Sequence, residues 1–312
     1  MVSCFNCGKK ALVELPYAGA SFCRGCFFRH FERLVRRANR EFGLVRRGDC
    51  IAVAVSGGKD SAALLWSAKY LAEMAGGVEV KPVLVDEGIK GYRGKALAKA
   101  RESCEKLGFE LAVASFKKSF GKTLDEIIAG RKDEAQGACS YCGVLRRAAL
   151  DDAARDLGAD KVALGHNADD IAQTFLMNLL RGETSRNSRL RLAEEDGVAE
   201  GFIRRIRPLI FVPERECALF STLEGLPFHL AECPYAGEAF RGTVKDFLNE
   251  AEAKHPGVKL NLLNSFLALR KAVGEKRKEK TRPCAKCGRP SSGGSLCKAC
   301  ELLHGRSQER LK

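Results

Sequence analysis

From residue 49 onward, short apolar runs alternate with longer stretches whose apolar residues recur at helical spacing. The run Cys50-Ile51-Ala52-Val53-Ala54-Val55 is too short for a core helix and reads as a buried strand. Comparable runs predict strands at 78–85, 109–114, 161–165 and 203–208. Helical patterns fall between and after them at 61–75, 92–107, 120–130, 140–157 and 169–181. Apolar strands alternating with helices predict an α/β fold, a parallel sheet covered by helices on both faces. Upstream, residues 29–44 read as a basic amphipathic helix with Phe31, Leu34, Val35, Ala38 and Phe42 on one face. Downstream, the polar, aperiodic stretch 182–202 predicts a loop, and helices are expected at 213–224, 237–254 and 259–273. A charged linker, 274–282, follows.

The end of the first strand carries the first candidate chemistry. Ser56-Gly57-Gly58-Lys59-Asp60-Ser61 joins that strand to a helix start. Two glycines let backbone N–H groups approach phosphate oxygens, and the helix N-terminus adds positive potential. Lys59 offers a compact positive charge, Ser56 and Ser61 offer hydroxyl donors, and Asp60 can orient Mg2+. This is not the G-x-x-x-x-G-K-[ST] loop, since Val53 stands where its first glycine belongs and Asp60 follows the lysine. The segment ending in Gly121-Lys122-Thr123 fails the same pattern at Phe116. A second strand end, Gly165-His166-Asn167-Ala168-Asp169-Asp170, also opens a helix. Its aspartates suit a helix cap as well as a nucleotide site, and His166 is expected to brace the loop. Both segments, with Val85-Asp86-Glu87-Gly88, lie at carboxyl ends of strands and are expected to meet in one crevice.

Fourteen cysteines in a chain with no basic-then-apolar leader point to metal in a cytoplasmic protein rather than to disulfides. Cys4, Cys7, Cys23 and Cys26 form two CxxC turns, and Cys284, Cys287, Cys297 and Cys300 form two more. Each set suits one closed, structural Zn2+ site, with Gly8 and Gly288 placed for a positive φ. His30 is expected on the surface. Cys50, Cys104 and Cys217 read as small buried hydrophobes. Cys139, Cys142 and Cys233 stand apart, and their spacing fits an iron–sulfur cluster, sulfur-relay thiols or structural cysteines.

The formal net charge is +14, with basic residues grouped at 29–47, 181–207 and 270–282. In a nucleotide-using enzyme this favours nucleic acid as the partner. No apolar stretch reaches the roughly 18 residues that would span a bilayer, so no membrane role is expected.

Taken in order, the motifs are Cys4 module, S-G-G-K-D-S, C-S-Y-C-G-V-L-R-R, G-H-N-A-D-D, E-C-P-Y-A and Cys4 module. This order resembles the tRNA 2-thiouridine synthetase family (TtuA-like), within the PP-loop ATP pyrophosphatases, and its relatives that thiolate the wobble uridine. The resemblance implies a Rossmann-like PP-loop domain, of the adenine nucleotide alpha hydrolase type, at 29–255. It implies zinc modules at 1–28 and 281–312, with a helix and linker at 256–280. It implies ATP held by Ser56, Gly57, Gly58, Lys59, Asp60 and Ser61, by Val85 at a strand end, by Arg146, and by Gly165 and Asp170. Lys59, Asp60 and Asp170 would serve catalysis beside Cys139, Cys142 and Cys233, which would bind a [4Fe-4S] cluster with one iron left open for sulfur. Relatives carry lysine where this chain has Arg146. The implied reaction adenylates the uridine C2 oxygen and replaces it with sulfur, at position 54 or 34 of tRNA. A ubiquitin-like thiocarboxylated carrier or free sulfide would supply the sulfur, and a homodimer is expected. The rival readings are a 2-thiocytidine or lysidine type of PP-loop enzyme, a cluster-free persulfide relay, and a non-enzymatic RNA-binding protein.

Overall fold

A computed structural model describes residues 2–131, 137–183, 187, 201–236, 240–273, 281–291 and 294–304. Most of the loop expected at 182–202 and of the linker expected at 274–282 lies outside them.

The sheet has five parallel strands, β3 (Cys50–Ala54), β4 (Glu79–Asp86), β5 (Ala112–Ser115), β6 (Lys161–Ala163) and β7 (Arg204–Ile206). Their order is β5-β4-β3-β6-β7. The chain builds outward from β3 to β5, then returns to the other side of β3 with β6. The connections therefore reverse direction between β3 and β6, which opens a crevice beyond their carboxyl ends.

Strand alternation divides the core into two layers. Ile51, Val53, Leu84, Ala163 and Ile206 face one core, while Ala52, Val83, Val85 and Val162 face the other. The first layer takes α1 (Arg24–Phe42), α2 (Lys59–Ala75), α3 (Arg93–Leu107), α7 (Ala168–Leu180) and α8 (Glu214–Leu223). The second takes the short helices α4 (Phe116–Phe120) and α5 (Leu124–Ala129), and the long α6 (Ala138–Asp156). Helices α9 (Phe240–Lys254) and α10 (Val258–Val273) pack on α7.

One helix was expected at 120–130, and the structure breaks it in two. Gly121, at φ 76°, closes α4, and Thr123 then opens α5 with a capping box to Glu126. His30 corrects a second expectation, because it is buried at 8 % exposure. Tyr17 Oη lies 3.3 Å from its Nε2 and Glu216 Oε2 lies 3.1 Å from the same nitrogen. Arg33 approaches its Nδ1 at 2.9 Å. The carboxylate that draws His30 inward belongs to α8, far away in sequence.

The two four-cysteine modules sit on opposite faces of the sheet. The N-terminal one joins the first core layer through Val13, Leu15, Phe22 and Cys26, around a hairpin of β1 (Val13–Leu15) and β2 (Ala20–Phe22). The C-terminal one joins the second layer through Cys284, Cys297, Ala299 and Cys300, next to β8 (Arg282–Pro283), β9 (Pro290–Ser291) and α11 (Lys298–His304). In each set the four sulfurs lie within 4.8 Å of one another, a spacing that suits a single tetrahedral ion. Gly8 and Gly288 both take φ 70°, and each donates its N–H to the first cysteine carbonyl of its turn at 2.9 Å. The second CxxC of each module opens a helix, α1 or α11, whose positive end favours thiolates.

Because the first module shares the main core, a metal bound there is expected to support the whole domain. Cys4→Ala should lower the thermal midpoint by several degrees, since even about 1 kcal/mol shifts a large domain by roughly 2–4 °C. Scanning calorimetry with metal analysis checks this. An unchanged midpoint would remove the structural role.

Candidate active site

The glycine turn is shaped by contacts that only these residues permit. Gly57 takes φ 87°, and a Cβ there would stand 2.1 Å from the Ala96 carbonyl oxygen of α3. Gly58 then serves as N-cap of α2. Ser56 Oγ accepts the Gly58 N–H at 3.3 Å and donates to Ser61 Oγ at 3.2 Å, while Ser61 donates to the Gly58 carbonyl at 2.8 Å. The serines thus hold the turn open around the helix N-terminus, where backbone N–H groups face outward.

Lys59 Nζ lies 2.9 Å from both Asp60 Oδ2 and Glu214 Oε1. Burial opposes its charge, but the two carboxylates outweigh that and raise its pKa, so Lys59 stays cationic. Glu214 also accepts from Lys245 Nζ at 3.0 Å. Burial resists the Glu214 charge as well, yet the two lysines hold its carboxyl below the usual range. Burial raises the Asp60 pKa, with Lys59 partly offsetting it.

The second loop closes directly against this turn. A Cβ on Gly165 would meet Asp60 O at 3.5 Å and Ser61 N at 3.7 Å, so the two backbones touch. Asn167 caps α7 in a reciprocal capping box with Asp170, and its Nδ2 reaches Asp60 Oδ1 at 3.3 Å. Burial lifts the Asp170 carboxyl to about 6, against the pull of Arg241, whose Nη1 lies 3.4 Å away. Asp169 turns away from the crevice. It accepts the Glu214 N–H at 2.8 Å, so it caps α8, and it pairs with Lys259.

The thiols occupy the β4 side of the same crevice. Cys139 and Cys142 lie in the first turns of α6. Cys139 Sγ donates to the Tyr235 carbonyl at 3.3 Å, which brings the Cys233-Pro234-Tyr235 segment onto α6. Tyr235 Oη donates to Asp125 Oδ1 at 2.9 Å and pins the segment from its other side. Cys142 and Cys233 pack in the same core layer. Burial raises the Cys142 thiol, while Arg146, donating to its Sγ at 3.0 Å, works the other way.

An ionic link, buried at Glu87 and Arg93 and exposed at Arg146, joins Cys142 to the glycine turn. Glu87, 0 % exposed at the end of β4, pairs with Arg93 and has Arg146 Nε at 2.6 Å. Arg93 in turn donates to the Ser56 carbonyl at 3.2 Å. The path from Ser56 through Arg93, Glu87 and Arg146 to Cys142 therefore uses three side chains. Glu87→Gln would leave Arg93 buried without its counter-charge, a change that typically costs about 3–5 kcal/mol. A thermal midpoint lowered by several degrees is expected, and a midpoint equal to the parent's would show the link to be dispensable.

Val85 also lies at this strand end, its side chain buried at 6 % exposure, so a base placed there would meet its backbone. The sequence reading did not single out Glu214, Lys245, Arg93 or Arg241, and had Glu87 only as part of a strand-end segment. No local motif marks Glu214, which lies 155 residues beyond the lysine it holds.

Residues 29–249 match the family model of the PP-loop domain, and residues 3–28 match that of the 2-thiouridine synthetase TtuA N-terminal LIM domain. The cytoplasmic tRNA 2-thiolation protein 1 of Drosophila melanogaster is 38 % identical over 303 residues, covering 96 % of this chain and 86 % of the relative. That of Danio rerio is 36 % identical over 306 residues, covering 97 % and 88 %. Among solved structures, the U34-tRNA thiolase NcsA from Methanococcus maripaludis, described with its [4Fe-4S] cluster, superposes with a TM-score of 0.81. It is 29 % identical and covers 97 % of this chain and 95 % of its own. The glycine turn, the crevice it faces and this shared length together place the chain in the PP-loop family of tRNA 2-thiolation proteins.

Proposed function

We propose that this protein is an ATP-dependent tRNA uridine 2-sulfurtransferase. One observation carries the reading: a chain of side chains, Arg93, Glu87 and Arg146, runs from the nucleotide turn to Cys142, beside which the segments of Cys139 and Cys233 meet. A purely RNA-binding protein would need neither. Lysidine and 2-thiocytidine chemistry is disfavoured by the full-length likeness to 2-thiolation proteins.

The residues divide the work. The turn 56–61 cradles the ATP phosphates with backbone N–H groups and serine hydroxyls. Lys59 neutralises the pyrophosphate that leaves when AMP passes to the uridine C2 oxygen, and Asp60 would hold a Mg2+, which when bound would supply further positive charge there. That oxygen is a poor leaving group until adenylated. Sulfide then attacks C2, the C2–O bond breaks, and AMP departs with the oxygen. Asp170, half-buried and lifted to about 6, would be the carboxyl nearest this step.

The donor set at the other end fits an iron–sulfur cluster. Cys139 bonds the segment that carries Cys233, Cys142 and Cys233 pack in one core layer, and all three lie outside the tight four-sulfur groups that suit zinc. Cys139, Cys142 and Cys233 would hold a [4Fe-4S] cluster, which when bound supplies an iron position without a protein ligand. Arg146 would remain hydrogen-bonded to the Cys142 sulfur and place positive charge beside the incoming sulfur. The Cys4 sets would hold two Zn2+. The sulfur would come from a thiocarboxylated ubiquitin-like carrier or free sulfide, and the enzyme would act as a homodimer. Position 34 is the favoured target, supported by the likeness to a U34-tRNA thiolase.

The test is anaerobic incubation of the iron-reconstituted protein with unmodified tRNA, ATP and sulfide, then mass spectrometry of digested tRNA. We expect 2-thiouridine at position 34. A thiolated position 54 would overturn the position, and unmodified tRNA would overturn the function.

A further inference from the structure

A cationic recess beyond β6 and β7 has no part in the chemistry described above. His166 Nδ1 accepts a hydrogen bond from Arg207 Nε at 3.3 Å. The neutral ring therefore carries its proton on Nε2, which is left as a donor. The residue is exposed to solvent, with protein atoms crowded close around the ring. That crowding, and then the charges of Arg207, Arg241, Arg147 and Arg205, push its pKa down to about 3.

Most of these guanidiniums are already engaged. Arg205 is held by both oxygens of Asp151, and Arg241 by Asp170, Gln173 and Thr174. Arg147, exposed on α6, forms no hydrogen bond or ion pair with any described residue. Its charge is disfavoured first by crowding and then by Arg205. Arg147 and Arg205 also line a cavity of about 490 Å³ between α6 and the C-terminal cysteine module. Its wall also bears Arg155 and Arg289, both paired with Asp152, and Lys298, paired with Glu301.

We propose that Arg147, Arg205, Arg207 and His166 form a phosphate site for the RNA backbone next to the uridine being modified, and that the groove beyond Arg147 carries the strand on toward the C-terminal module. The ligand chemistry is a phosphate oxyanion, which ATP could also supply. Two features favour RNA. The glycine turn on β3 already provides for the ATP phosphates, and Arg147 and Arg205 border a cavity of about 490 Å³, larger than one phosphate needs. Backbone contacts of this kind position a nucleic acid without reading its sequence.

The inference rests on tRNA being the substrate, so the experiment reads that separately. Binding of unmodified tRNA to the full-length protein is measured by fluorescence anisotropy across a salt series, for the parent, Arg147→Ala and Arg147→Lys. ATP affinity is measured calorimetrically on the same samples. Arg147 is exposed and has no hydrogen-bond or ion-pair partner among the described residues, so both variants should fold as the parent does. Arg147→Ala should bind tRNA several-fold more weakly, with a log–log salt slope shallower by about 1 and unchanged ATP affinity. Arg147→Lys should retain most of the slope. Unchanged tRNA binding in Arg147→Ala would overturn the site, and a selective loss of ATP affinity would reassign it to the triphosphate. A parent protein that fails to bind tRNA would instead remove the tRNA reading itself.

Discussion

Single replacement of Cys139, Cys142 or Cys233 by alanine is expected to abolish 2-thiolation while leaving the protein folded. The first consequence follows from valence: a cluster held by three thiolates loses an iron ligand with each substitution. The second follows from packing. Cys139 is exposed and Cys233 half-buried, so neither anchors the core. Cys142 is buried, but alanine removes only its sulfur, and the hydrogen bond it loses comes from Arg146, which keeps Glu87. Iron content, product by mass spectrometry and circular dichroism should therefore separate: iron and product fall, the fold signal stays. A persulfide relay predicts a different pattern, in which iron-free protein remains active and one of the three cysteines is replaceable. Normal thiolation by any one of the alanine variants would defeat the three-ligand assignment.

Lys59→Ala should have the next largest effect. The ammonium sits between Asp60 and Glu214, held in its charged form at the mouth of the glycine turn. Loss of one preorganised charge at the departing pyrophosphate is expected to lower turnover by about 10²–10³-fold. The fold should tolerate the change, because Lys245 remains on Glu214 and the serines shape the turn independently. Single-turnover thiolation at saturating ATP measures the loss. A variant within a few-fold of the parent would mean that Lys59 only braces α8 against α2.

What the sequence made legible was local chemistry. The glycine turn needs Gly57 because of its positive φ and the nearby Ala96 carbonyl, and both demands leave a dipeptide signature. CxxC turns with a following glycine show equally plainly. The strand–helix alternation made the parallel sheet readable, and the helical break at Gly121 was also written there, as a glycine followed by a Thr123–Glu126 capping box. What stayed hidden was pairing across long separations. Glu216 buries His30, Glu214 holds Lys59, and Glu87 gathers Arg93 and Arg146 from two helices. Each of these acids looks like any other charged residue until the sheet brings its partner alongside.

The central claim is that nucleotide cleavage and sulfur insertion occur in one crevice on one uridine. Thiolation with ATP labelled in the α-phosphate tests it most directly, by counting labelled AMP against 2-thiouridine formed. The account predicts equal amounts of the two, both dependent on tRNA. Labelled ADP as the product, or 2-thiouridine formed without AMP, would contradict it.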